Sequence, residues 1–315
     1  METKLWLVLI LCTLGFSNEF FKYSDTLSKI QISKAECESK QHAVWVKANW
    51  VEKGIFSDNL KEAEACIRYF PSLGHDTSKT AVLYFPGDID GDPEAYDKSA
   101  NYVNYVQKAY NYYKKNKVAS IIVGRPGTLG GSGMAQSERR LPIETYLVDA
   151  AITKIKEKYG YERVSIAGLS GGGGLVAAVL TLGRTDIDCA VIASGLSSVK
   201  TRTRTYNYNA YIKGMFNGNI NLYEVYDPID NINKIKKDEK RQVYVLADVA
   251  DRQVSFESQK EFFDKLITVE EKSYLILLDT GEPKHHILQN EAFATASMCM
   301  LGKSVEDIQN KLTKK

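Results

Sequence analysis

The chain alternates between short apolar runs, rich in β-branched and aromatic residues, and longer segments with helical spacing. Short runs of this kind favour strands, whereas apolar residues at every third or fourth position favour a helix. We predict eight strands from the short runs: His42–Val51, Ala65–Phe70, Ala81–Phe85, Val118–Val123, Arg163–Ala167, Cys189–Ala193, Val243–Ala247 and Tyr274–Leu278.

From residue 80 onward, a helical segment follows most of these strands. The predicted helices are Tyr96–Lys115, Glu144–Tyr159, Leu175–Leu182, Phe256–Leu266 and Ala292–Leu301. Repeated strands and helices produce a parallel sheet with helices on both faces. The first two strands are joined by a short loop and predict a hairpin. The sequence therefore predicts an α/β protein with a mostly parallel, eight-stranded sheet.

A polar stretch rich in Tyr and Asn interrupts this repetition. It covers residues 195–241 and is too long for a bare connection. Insertions of this length are often functional. We predict a short lid over the open edge of the sheet, or else a solvent-exposed helical excursion without a role. Residues 18–315 otherwise form a single predicted domain.

The N terminus has the pattern of a secretory signal peptide. Lys4 precedes the apolar run Leu5–Leu14, and the small residues Gly15 and Ser17 suit cleavage after Ser17. The run spans about ten residues, whereas a membrane-crossing helix needs roughly twenty, so we expect no stable membrane span. The sequence therefore predicts that residues 1–17 are a signal peptide and that the mature protein is exported, either periplasmic or secreted.

Cleavage would leave four cysteines in a compartment where thiols oxidise. Cys37 and Cys66 flank the predicted hairpin and are the favoured pair, although three pairings or none are open for Cys37, Cys66, Cys189 and Cys299. No CxxC spacing or mixed Cys/His cluster suggests zinc, so no metal is predicted. An alternative interpretation of the N terminus is a lipoprotein signal at Cys12, which the bulky Leu11 disfavours.

Charge argues against a nucleic-acid partner. The 41 basic and 39 acidic residues are mixed along the chain and leave a formal net charge of +2. Such a balance creates no strong field to gather nucleic acid or anionic lipid.

The strongest chemical motif is Gly168-Leu169-Ser170-Gly171-Gly172. It matches the G-x-S-x-G nucleophile elbow, and it lies between a predicted strand and a helix, as that motif requires. A phosphate-binding loop is the alternative for glycine-rich turns of this kind, but no Lys-Ser or Lys-Thr pair follows the glycines. We therefore predict Ser170 as a nucleophile.

A serine nucleophile needs a base, which a carboxylate orients. In this motif's fold, the acid and then the histidine follow the serine along the chain. Two histidines, His285 and His286, follow Ser170 and lie after the last predicted strand. For the acid we favour Asp251, which precedes a helix, over Asp248, which we interpret as a residue supporting the loop.

These residues resemble the catalytic domain of α/β-hydrolases, in particular the prolyl-oligopeptidase and dienelactone-hydrolase-like branches. The resemblance rests on Gly168–Gly172, on Asp251–Val254 followed by Ser258–Phe263, and on His285 after the next strand, and it covers residues 42–301. It implies an α/β-hydrolase fold. The string that begins at His285 is similar to His-x-Ile-Leu in lipase-like members, which implies that His285 is the base and that His286 shapes the pocket.

The oxyanion donors are expected at two backbone positions. One is the turn after the third strand, where many α/β-hydrolases have His-Gly and this chain has Pro86-Gly87-Asp88. The other is the start of the helix after Ser170. We predict the N–H groups of Asp88 and Gly171 as the donors, with the carboxylate of Asp88 pointing away from the developing charge.

Arg125 lies in the glycine-rich segment that follows the fourth strand. Two roles are open for its guanidinium, which either pairs with a carboxylate of the substrate or pairs with a local acid.

The sequence thus predicts an exported serine hydrolase that cleaves an ester or amide through Ser170, His285 and Asp251, with an acyl-enzyme intermediate and no cofactor. An esterase or lipase-like enzyme is favoured, acting on a small-molecule ester or a short peptide. The alternatives are a small serine peptidase of the prolyl-oligopeptidase type and a non-catalytic binding protein that retains the fold.

Overall fold

The computed structural model describes residues 18–52, 57–72, 77–89, 92–205, 224–281 and 283–313. The predicted signal peptide, residues 1–17, lies outside the described residues, as does the middle of the predicted insertion, residues 206–223. Among the helices that the structure describes, none combines the length and apolar character needed to cross a membrane.

The apolar runs form a single eight-stranded sheet in the order β1-β2-β4-β3-β5-β6-β7-β8. The strands are β1 Ala43–Glu52, β2 Asn59–Pro71, β3 Val82–Phe85, β4 Ser120–Val123, β5 Val164–Leu169, β6 Ile187–Ala193, β7 Gln242–Ala247 and β8 Ser273–Leu277. Strand β2 pairs antiparallel with β1 and with β4, whereas all other neighbours are parallel. The predicted mostly parallel sheet is confirmed.

Helices connect the strands and cover the sheet. They are α1 Tyr23–Thr26, α2 Lys34–Ser39, α3 Pro93–Ser99, α4 Tyr102–Asn116, α5 Ala135–Glu138, α6 Pro142–Tyr159, α7 Gly171–Leu180, α8 Val199–Thr205, α9 Phe256–Val269, α10 Gln289–Met300 and α11 Val305–Thr313. A 3₁₀ helix, Pro228–Lys234, precedes β7.

The sheet separates two apolar cores because successive side chains of a strand point to opposite faces. In β5, Val164 and Ile166 belong to one core, and Ala167 and Leu169 belong to the other. Helices α6, α7 and α9 contribute to the first core, and α4, α10 and α11 contribute to the second. Helices therefore lie on both faces, as the repeated pattern predicts.

The long helix predicted for Tyr96–Lys115 is wrong, because the structure has two helices there. Helix α3 ends at Ser99, and the backbone of Asn101 is extended. The side chain of Asn101 accepts a hydrogen bond from Asn104 N at the start of α4. Asn is among the residues that best cap a helix N terminus. The apolar spacing continues across this break, so periodicity alone did not reveal it.

Two disulfides join distant parts of the chain. Cys37 bonds to Cys66, the pair that the sequence favours, and ties α2 to β2. Cys189 bonds to Cys299 and ties β6 to α10.

The two described ends of the predicted insertion meet at Asp227. The carboxylate of this buried residue accepts hydrogen bonds from the backbone N–H groups of Val199 (3.1 Å) and Lys200 (3.0 Å), the first residues of α8. Burial raises the pKa of Asp227 to about 6, and the two N–H groups only partly oppose this rise.

We expect Asp227 to make stability depend on pH. Its pKa is higher in the folded chain than the value of about 3.9 in an unfolded one. Its stabilising contribution is therefore fully present below about pH 4 and is lost as the pH rises through about 6. Relative to Asp227→Asn, the free energy of unfolding of the wild type should fall by about 2 kcal/mol between pH 4 and pH 7.5.

Urea unfolding of both proteins at the two pH values measures this change. Asp264→Asn, at a half-exposed position of α9, serves as the control substitution. A difference between wild type and Asp227→Asn that stays constant with pH would contradict the prediction.

Candidate active site

Ser170 occupies a strained turn between β5 and α7. Its backbone angles are φ 56° and ψ −119°, in a region that residues other than glycine rarely adopt. Strain of this kind costs about 1–3 kcal/mol and is concentrated at functional sites. Ser170 is half-buried, and its carbonyl accepts hydrogen bonds from Gly174 N (2.9 Å) and Leu196 N (3.3 Å). The surrounding backbone therefore holds the strained turn in place.

Two glycines of the motif allow this turn to pack closely. A Cβ at Gly168 would lie 2.3 Å from the carbonyl oxygen of Gly172, and a Cβ at Gly172 would lie 2.1 Å from the carbonyl oxygen of Phe85. No side chain can be accommodated at either position without moving backbone. The glycines are therefore required where the strand, the turn and the helix approach one another.

Backbone hydrogen bonds connect Ser170 to the carboxyl ends of the neighbouring strands. Ser170 N donates to Ala193 O at the end of β6 (2.9 Å), and Ser194 N donates to Leu246 O near the end of β7 (2.8 Å). Strand β8 pairs with β7 as far as its last residue. The turns after β5, β7 and β8 therefore open at the same edge of the sheet.

Asp251 and His286 form a buried pair at this edge. His286 Nδ1 lies 2.9 Å from Asp251 Oδ2, and the two side chains are 3% and 0% exposed. Asp251 Oδ1 also accepts hydrogen bonds from Gln253 N (2.8 Å) and Val254 N (2.9 Å). These donors fix the carboxylate, which in turn fixes the imidazole.

The structure does not bring Asp251 and His285 together, so the expected pairing of these residues is corrected. His285 Nδ1 lies 3.1 Å from Asp248 Oδ2 instead, and the His285 side chain is 26% exposed. His285 has a left-handed backbone, with φ 51°, and the two successive imidazoles contact different carboxylates.

Asp248 is a well-bonded carboxylate. It accepts hydrogen bonds from Ala250 N (2.8 Å) and from both the backbone N–H and the hydroxyl of Thr280. Burial raises the pKa of Asp248, but these donors and His285 outweigh burial and hold the pKa below its usual value. Asp248 thus joins the loops after β7 and β8.

The two residues expected to supply the oxyanion donors belong to segments that lie close to Ser170. Gly171 is the first residue of α7, and Gly87, next to Asp88, lies beside the nucleophile, since a Cβ added to it would be 3.4 Å from Ser170 Cβ. Within the described residues, the N–H groups of Asp88 and Gly171 donate to no protein acceptor. The N terminus of a helix also favours negative charge.

The Asp88 carboxylate is enclosed by arginines. Arg125 Nη1 donates to Oδ1 (2.8 Å), Arg140 Nη2 donates to Oδ2, and Arg139 Nη1 lies 3.6 Å from Oδ2. Burial alone raises the pKa of Asp88, but Arg140, Arg125 and Arg139 outweigh it and hold the pKa far below its usual range. Asp88 is therefore ionised, and its charge is balanced by the guanidiniums.

Arg125 pairs with local acids, which was one of the two roles open from the sequence. Besides Asp88, it contacts Glu144 Oε1 at 2.7 Å through both Nε and Nη2. Sequence reasoning missed Glu144 as a partner of Arg125, and it missed Arg139 and Arg140 as partners of Asp88. The pair Arg139-Arg140, between the glycine-rich turn and α6, is only a weak sequence signal for a buried charge cluster, because adjacent charged residues are more often solvated.

One set of carboxylate and imidazole side chains in the described residues lies close enough together to be considered as metal ligands. Ligand atoms of Asp248, Asp279 and His285 all lie within 4.8 Å of one another. Asp248 and His285 already bond to each other, and Asp248 also accepts hydrogen bonds from Thr280, so these two residues have protein partners without an ion. The expectation of no metal and no cofactor stays a prediction.

Comparison with known proteins gives the fold a family context. Residues 147–297 match the model of the prolyl oligopeptidase family. Among curated proteins, none matches the chain. An esterase from Pyrococcus furiosus has a similar structure, with a TM-score of 0.54 and 13% identity over 91% of this chain and 99% of that one. The chain has the α/β-hydrolase fold.

Two further structures share this fold. Est1E from Butyrivibrio proteoclasticus, solved with ferulic acid bound, has a TM-score of 0.52 and 13% identity over 76% of this chain and 96% of that one. Pyrococcus horikoshii acylaminoacyl peptidase has a TM-score of 0.52 and 15% identity over 86% of this chain but 42% of that one. The predicted fold class and family resemblance are confirmed, and the family match and fold together support a serine hydrolase.

Proposed function

We propose that this protein is an exported serine hydrolase that cleaves an ester or an amide through Ser170, His286 and Asp251. The observation that carries the proposal is the buried Asp251–His286 pair at the sheet edge where the strained Ser170 turn also opens. This arrangement supports His286, rather than His285, as the base.

The proposed reaction is acyl transfer. The Ser170 hydroxyl attacks the substrate carbonyl carbon and gives its proton to Nε2 of His286. Asp251 accepts the Nδ1–H of the imidazole, so the correct tautomer faces the serine. The imidazolium then protonates the leaving group, and an acyl-enzyme remains. Water, activated by the same base, releases the acid and regenerates Ser170.

The developing oxyanion needs hydrogen-bond donors in place before the reaction. The N–H groups of Asp88 and Gly171 are the proposed donors, since Gly171 follows Ser170 and Gly87, next to Asp88, lies near the Ser170 side chain. Each such donor is worth about 100- to 1000-fold in rate. The arginines around Asp88 prevent its carboxylate from opposing the developing negative charge.

An ester is the favoured substrate class. The similar Pyrococcus furiosus esterase corresponds to this chain along nearly its whole length, whereas this chain spans less than half of the acylaminoacyl peptidase. A small serine peptidase is the second candidate, supported by the match to the prolyl oligopeptidase family. A non-catalytic binding protein is disfavoured because it has no need for a strained serine and a buried Asp–His pair.

Export is part of the proposal and has independent support. Two disulfides, Cys37–Cys66 and Cys189–Cys299, cross-link the chain, and disulfides persist in oxidising compartments. A mature protein that begins at Asn18 retains all four disulfide cysteines.

A single labelling experiment tests both the proposed catalysis and the proposed export. Intact cells and their culture medium are treated with a fluorophosphonate probe that does not cross the cytoplasmic membrane. We expect mass spectrometry to place the adduct on Ser170 of a protein whose N terminus is Asn18. Heat-denatured protein serves as the control and should not react. An adduct on another residue, or no adduct on the folded protein, would overturn the proposed catalysis.

The same preparation separates the two candidate substrate classes. p-Nitrophenyl esters of increasing acyl length and aminoacyl p-nitroanilides are compared by kcat/KM. We expect the esters to be the better substrates, and faster cleavage of an anilide would favour the peptidase.

A further inference from the structure

The space that a side chain at position 171 would fill is occupied by the Asp88 carboxylate. A Cβ added to Gly171 would lie 2.3 Å from Asp88 Oδ1 and 2.8 Å from Asp88 Cγ. The residue after the serine in a G-x-S-x-G elbow is variable in type. Gly171 has no left-handed backbone that would require glycine. The neighbouring carboxylate is therefore what excludes a side chain here.

This carboxylate is anchored. An exposed acidic side chain would rotate away from an added methyl group at little cost. The Asp88 side chain is 4% exposed and is held by Arg125 and Arg140, and Arg125 is itself fixed by the buried Glu144. A Cβ at position 171 would therefore push against a fixed group.

The contact joins the two sides of the oxyanion site. Asp88 follows β3, and Gly171 begins the helix after the nucleophile. The backbone N–H groups of these same residues are the proposed oxyanion donors. The distance between carboxylate and Gly171 thus fixes the spacing between the two donors.

We propose that the Asp88 side chain is a positioning group, which the arginines hold against Gly171 so that the loop after β3 and the start of α7 keep the spacing the oxyanion requires. This role rests on the proposed function. It goes beyond that function because it gives the Asp88 side chain a task separate from that of its backbone N–H.

Substitutions at the two positions test the contact. The variants are Asp88→Ala, Asp88→Asn and Gly171→Ala, together with the double variants D88A/G171A and D88N/G171A. Asparagine has nearly the size of aspartate and keeps the steric contact, whereas alanine removes it. Asp264→Asn, at a half-exposed position of α9, is the matched control for the loss of a carboxylate.

We expect Asp88→Ala to lower kcat for p-nitrophenyl acetate by about 100-fold, with KM changed by less than about threefold, because an oxyanion donor acts on the transition state. Gly171→Ala alone should cost about 100-fold, as displacements of about 1 Å do. In the D88A background, Gly171→Ala should cost less than about threefold, whereas in the D88N background its full cost should remain.

Thermal unfolding of each variant separates loss of function from loss of fold, and Asp88→Ser replaces Asp88→Ala in the cycle if the alanine variant does not fold. If Gly171→Ala costs the same factor with and without the carboxylate, or if Asp88→Ala retains wild-type kcat, this proposal is overturned while the proposed function stands. If the folded wild type does not react with a fluorophosphonate at Ser170, the proposed function is overturned and this proposal with it.

Discussion

Replacing His286 by glutamine is expected to lower kcat/KM for ester hydrolysis by about 10⁴-fold or more, whereas His285→Gln should cost less than about tenfold. Of these two histidines, His286 is the one placed against the Asp251 carboxylate, which would orient its ring as a general base. Glutamine retains an N–H donor for that carboxylate but has no basic nitrogen. His285 contacts Asp248 and is partly exposed, so its loss changes a loop contact.

The two variants control for each other because they remove the same side chain at adjacent positions. Steady-state kinetics with p-nitrophenyl acetate and the rate of fluorophosphonate labelling measure both effects. Thermal unfolding establishes that the buried H286Q site still folds. A larger kinetic loss in His285→Gln than in His286→Gln would restore His285 as the base and contradict the role proposed for His286.

The adjacent histidines show what sequence patterns do and do not predict about this site. The position of the histidines after the last strand followed from strand periodicity and from the order of catalytic residues in the fold. The choice between the two histidines could not be predicted in this way, since it depends on the left-handed φ of His285, which no local sequence pattern indicates. A similarity to lipase-like strings pointed to His285, and the contacts in the folded chain point to His286.

Long-range contacts explain the other differences. The strands and the Ser170 elbow were predictable because apolar spacing and glycine spacing are local. The arginine cluster around Asp88 was not, because Arg139 and Arg140 lie 51 and 52 positions away from it. The break between α3 and α4 is not predictable from periodicity, because the apolar spacing continues across it. The asparagine that caps α4 ends the helical conformation without changing that spacing.

Replacement of Asp251 by asparagine is expected to reduce kcat/KM by about 10⁴-fold, through the tautomer of His286 rather than through its position. Asparagine keeps a carbonyl oxygen for Gln253 N and Val254 N, so the loop should stay in place. Its amide N–H₂, however, would donate to Nδ1. The proton of the neutral imidazole would then lie on Nε2, which could no longer accept the serine proton.

Asp248→Asn is the matched control, because it makes the same change in the carboxylate that contacts His285. We expect it to retain kcat/KM within about tenfold, since Asp248 joins two loops and does not contact the proposed base. Steady-state kinetics of both variants on one ester give the comparison. If Asp248→Asn proved the more damaging, the catalytic pair would be Asp248 and His285, and the buried Asp251–His286 pair would have a structural role. The reason is that a carboxylate that sets the tautomer of the base cannot be neutralised without loss of rate.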